Sequence, residues 1–154
     1  MPDHNDNHSI LRSSLFGGKP VDVQPEDELA DSDLPDASAP YQAHARPANR
    51  PVYTLHCCLG KDGYRSFQYV HLDSDSSFKT SSAGHVITLR FAGTQVMQVT
   101  IKGRNLWRLY GTLHAHSISW VMRADRDLAD EQETIITAIE FVPVEASDTR
   151  FRTP

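Results

Sequence analysis

The chain has 154 residues, 39% hydrophobic and 23% charged, with 20 acidic against 15 basic side chains and a net charge of −5. This length suits one ordinary domain, or a smaller domain with a tail. Two cysteines exclude a disulfide-stapled miniprotein, and no apolar run approaches the roughly 20 residues of a membrane-crossing helix.

The charge is unevenly spread. Residues 1–50 hold nine acids and four bases, so the whole excess of −5 lies there, and the other residues carry eleven of each sign. Seven of the nine prolines fall at or before Pro51. Recurrent proline, sparse large hydrophobes and excess charge predict a disordered acidic tail over residues 1–50. Such a tail is expected to be dispensable for the melting temperature of the domain after it. The start, Met1-Pro2-Asp3-His4-Asn5-Asp6, has no basic or apolar leader pattern, which predicts a cytoplasmic protein with no membrane association.

Within the tail, Ile10, Leu11, Leu15 and Phe16 cluster ahead of Gly17-Gly18, a spacing that permits one or two helical turns docking on a partner protein. Ser14-Leu15-Phe16 resembles the Leu-Phe ending of bacterial sliding-clamp peptides, but the glutamine and upstream leucine of that motif are missing.

From Pro51 the texture changes. Residues 53–59 alternate, with Tyr53, Leu55, Cys57 and Leu59 on one face, and Gly60-Lys61-Asp62-Gly63 is turn chemistry. Residues 67–72 form a weaker strand candidate, and the serine-rich stretches around Phe78 read as loop. Residues 85–91 and 95–102 alternate on either side of a short Gly93-containing turn, the pattern of a hairpin with one buried face. Leu106, Leu109, Tyr110 and Leu113 fall at i, i+3, i+4 and i+7, predicting an amphipathic helix with Asn105 as N-cap. Strand periodicity resumes over 118–122 and 134–142. The expected fold is α+β: a small antiparallel sheet or partly open barrel of about five to six strands, with one helix near 105–116. The expected domain spans 51–146, with a frayed end over 147–154.

No Gly-rich nucleotide loop or nucleophile elbow occurs, and no cofactor is implied. Three groups of residues could carry chemistry. Cys57 and Cys58 are neighbours on a strand and point to opposite faces, so Cys57 is expected in the core and Cys58 exposed or facing a ligand. Among eight histidines, His114 and His116 could share a metal ion on an extended strand, whereas on a helix they diverge. The helix is read as ending within this pair, which favours an electrostatic role at its C-terminus. Lys102, Arg104, Trp107 and Arg108 cluster where a strand passes to a helix, and cations beside free backbone N–H groups attract anions. The acids Asp125, Asp127, Asp130, Glu131 and Glu133 lack the spacing of a calcium loop and read as solvated.

A balanced domain charge disfavours strong nonspecific nucleic-acid binding. The ranking is therefore a non-enzymatic protein-interaction or regulatory module with a protein partner first. A nucleic-acid or phosphate-ligand binder using residues 102–108, with the acidic tail as an internal competitor for that corner, is an alternative. A small histidine-dependent metal protein is another.

Overall fold

Alternation of apolar and polar side chains sets most of the strands, because each strand buries one face only. A computed structural model describes residues 34–125 and 133–145. Its elements are β1 (Thr54–Cys58), β2 (Tyr64–Gln68), β3 (Ser77–Ser81), β4 (Gly84–Ala92), β5 (Val96–Arg104), α1 (Trp107–His114), β6 (Trp120–Met122) and β7 (Ile135–Val144). They form two sheets, one ordered β2-β1-β6 and the other β3-β4-β5-β7. All neighbours are antiparallel except β1 and β6, which run parallel. The α+β class with a single helix is as expected, with seven strands among the described residues.

Ile87, Leu89, Val99 and Ile101 project from the inner face of the larger sheet and are fully buried. Opposite them lie Leu55 and Cys57 of β1, and α1 adds Leu109 and Leu113, with Leu106 just ahead of it. At about 25 cal/mol per Å² of apolar surface, this continuous cluster supplies the main drive to fold.

Backbone hydrogen bonds connect the sheets at two points. Leu72 bridges Phe91, and the Asp73 N–H donates to the Arg90 carbonyl at 2.7 Å. At the other seam the Ala124 N–H donates to the Ile136 carbonyl at 2.8 Å.

A side chain from ahead of the expected boundary completes this second seam. The Tyr41 hydroxyl donates to the Met122 carbonyl at 3.0 Å and accepts from the Ile136 N–H at 2.9 Å, so one phenol links β6 to β7. Alongside, the Met122 N–H donates to Ala43 and the Ala45 N–H to Trp120, while His44 bridges Val121. Ala43 and Ala45 are buried. Residues 41–45 therefore pack as a strap along β6, and the packed chain begins well before residue 51. In residues 41–45, low hydrophobicity reflects small side chains fitted against a strand. Residues 1–33, with Ile10, Leu11, Leu15 and Phe16, lie outside the described residues, as do 126–132 and 146–154.

Two strands differ from expectation. The second occupies 64–68, and residues 69–71 form a 3-10 turn, because Tyr69 turns inward to donate its hydroxyl to the Ile118 carbonyl at 2.7 Å. The serine-rich loop around Phe78 is β3, an edge strand that needs few inward apolar groups. Phe78 meets the rings of His85 and Tyr110.

Candidate functional site

The junction of β5 and α1 is where the sequence places cations beside an aromatic. Asn105 adopts a left-handed φ of 56°, which turns the chain out of β5, and its side-chain amide donates to the Glu133 carbonyl. The helix then begins at Trp107 with Leu106 in the capping position, one residue later than an Asn105 cap requires. The Leu106 N–H donates to Nδ1 of His85 on β4 at 3.0 Å. His85 thus engages the backbone donor of the capping residue, one of those an anion site at the helix start would use.

The four cluster residues divide between two surfaces. Lys102 alternates with buried Ile101 and lies on the outer face of the larger sheet, where its ammonium meets Glu140 of β7 at 2.8 Å. Trp107 and Arg108 stand together on α1. Trp107 is 58% exposed, and the Arg108 guanidinium carbon lies 5.0 Å from the indole centroid, within cation–π range. The leucine stripe turned inward on α1 leaves these two residues facing solvent. Arg104 occupies the last position of β5.

His114 and His116 separate. The first ends α1, with Nε2 3.0 Å from the Ser76 hydroxyl and its ring edge-on to Tyr110. The second has a left-handed φ of 53° and stacks on Tyr69 with centroids 4.7 Å apart. Among the described residues, no three His, Cys, Asp or Glu side chains group closely enough to hold a metal ion.

Cys57 enters the core as expected, but Cys58 is also buried, at 3% exposure. The outer face of β1 is covered where Cys58 packs with Ala45 of the strap, Trp120 and Met122. Burial disfavours the thiolate and pushes both thiols up to about 12; for Cys57 the adjacent Cys58 adds to the effect and Arg65 opposes it. Both remain free thiols, and their protonation works against a nucleophilic role.

The outer face of the larger sheet holds a feature that motif reading does not identify. A shallow groove of about 310 Å³ is lined by Asp75, Ser77, Lys79, Thr88, Arg90, Gln98 and Val144. Asp75 and Asp73 hold Arg90 at 3.3 and 3.8 Å, so its main cation is already neutralised. Its trace in the sequence is the polar half of the strand alternation, which periodicity alone marks only as solvent-facing.

No family model matches this chain, and the searches of curated proteins and of solved structures likewise found no match.

Proposed function

We propose that the chain is a non-enzymatic interaction module that contacts a protein partner through the Trp107–Arg108 face of α1. The observation that carries this reading is an indole exposed to 58% with a guanidinium over it, on a helix whose other side is anchored in the core. Trp and Arg are the residue types that most often dominate binding energy at protein interfaces, and a rigid backbone lowers the entropy cost of using them. The buried, protonated cysteines agree with a role other than nucleophilic catalysis. Engagement of Lys102 by Glu140 and of the Leu106 N–H by His85 makes a phosphate or nucleic-acid site at this junction the weaker reading.

The test is capture of partners by the intact chain in extract from the cells that make it, beside a Trp107→Ala, Arg108→Ala variant. Because both side chains are exposed, the variant is expected to keep the native melting temperature. It should weaken a specific partner by about 2 kcal/mol or more, a loss of roughly thirtyfold in affinity. Equal capture by both proteins overturns the proposal.

A further inference from the structure

The larger sheet ends in two edge strands, β3 and β7, whose outward backbone groups differ. The Arg90 carbonyl accepts from the Asp73 N–H on the side of β4 away from β5. By strand alternation Gly84, Val86 and Thr88 turn their backbone groups to that same side, where they pair with Ser81, Lys79 and Ser77 of β3. The N–H and C=O groups of Phe78 and Thr80 therefore point away from the sheet. Among the described residues, no backbone hydrogen bond closes this edge. On β7 the same alternation, carried across β5 and the slip at Gly103, turns Pro143 outward, where it has no N–H to offer a further strand.

The side chains of β3 divide between two faces. Phe78 pairs with Ile87 and lies inward, held against the rings of His85 and Tyr110. Ser77, Lys79 and Ser81 lie on the outer face, and Ser77 and Lys79 begin the groove that continues over Thr88 and Arg90. Arg90 already has Asp73 and Asp75, whereas Lys79 is exposed and forms no ion pair among the described residues. A lysine in the middle of an edge strand repels a second copy of that strand and attracts a carboxylate.

We propose that the free edge of β3 receives an extended acidic segment of a partner protein as a further strand, with a carboxylate beside the Lys79 ammonium and an apolar side chain beside Phe78. Backbone bonds to Phe78 and Thr80 supply the affinity, and the two side-chain positions supply the choice of sequence. In an antiparallel addition, Lys79 and the residue opposite it form a non-hydrogen-bonded pair with Cα atoms about 4.5 Å apart, so their side chains meet. Ser77 and Ser81, small on either side of Lys79, leave room for longer acidic side chains. This contact uses neither Trp107 nor Arg108 and is independent of the one proposed above.

The probe is an end-blocked, fluorescent octapeptide of alternating valine and glutamate, whose anisotropy is followed as the intact chain is added. Binding is expected with a Kd below about 1 mM. Thr80→Pro removes an outward N–H and no bond to β4, and it should weaken binding about tenfold. Lys79→Glu should weaken it to a similar degree and confer binding of a valine–lysine octapeptide that the native chain does not hold. Both positions are exposed, and the melting temperature reports whether each variant keeps the fold. If Thr80→Pro lowers it, the charge reversal alone decides. Absence of binding by the intact chain overturns the proposal, and so does a charge preference unmoved by Lys79→Glu. A concentration-dependent dimer that Thr80→Pro abolishes gives the edge to a second copy and overturns it as well.

Discussion

At Gly103 a single methyl group decides whether the larger sheet can close. The register of β5 against β7 slips between Lys102 and Gly103, leaving Thr137 as an extra residue, and a Cβ on Gly103 would overlap the Ile135 carbonyl oxygen. That neighbour is backbone and has little room to move. Gly103→Ala should cost about 3 kcal/mol or more, read as a lower urea midpoint. A second residue-scale consequence concerns alkaline pH. Burial raises Cys57 and Cys58 from 9.0 to about 12 and Tyr41 from 10.0 to about 12, so the native state holds these protons more tightly than the unfolded chain. Their contribution is complete below about pH 9 and is lost as pH rises from about 9 toward 12. Urea midpoints at about pH 8, 9.5 and 11 should fall in that order, and the folded protein should resist iodoacetamide at about pH 8 until it is denatured.

At the scale of elements, α1 combines a good apolar stripe with a poor helix former. Gly111 is exposed, and an added Cβ there meets nothing within 4 Å. Gly111→Ala should stabilise the protein by about 0.5–1 kcal/mol, a change measurable by thermal or urea unfolding. The elements legible in the sequence are those with repeated apolar contacts: Ile87, Leu89 and Phe91 on β4, Met97, Val99 and Ile101 on β5, and the leucines of α1. β3 is hidden because an edge strand with Phe78 as its main inward anchor leaves almost no periodic signal. The junction residues Trp107 and Arg108 are legible as a cluster. Their separation from Lys102 is not, because it depends on the left-handed turn at Asn105 and on Glu140, 38 residues from Lys102 along the chain. The acceptor for the Leu106 N–H is illegible for the same reason, since His85 comes from another strand.

At the scale of the whole molecule, the strap changes what can be removed. A chain lacking residues 1–48 loses the Tyr41 phenol, buried Ala43 and Ala45, and the ladder along β6. It should melt well below the intact protein, contrary to the dispensable tail expected from composition. Tyr41→Phe isolates the polar part, because it leaves the Met122 carbonyl and the Ile136 N–H without the phenol. Its cost should be about 1–3 kcal/mol by urea unfolding. Over residues 41–45 composition misleads because proline and small residues mark both an unfolded tail and an extended segment laid against a sheet, and only the receiving surface distinguishes them.

The same phenol also governs when the fold can be completed during synthesis. Its two hydrogen-bond partners lie 81 and 95 residues downstream. At about 5–20 residues per second, the ribosome needs about 5–20 s after making Tyr41 before Ile136 exists to receive it. Until β6 is made the strap has no strand to lie along, and until β7 is made the phenol lacks one of its two partners. The early-made segment must therefore stay unaggregated until nearly the last strand emerges, and low hydrophobicity with a dense run of carboxylates just upstream suits a chain that has to wait.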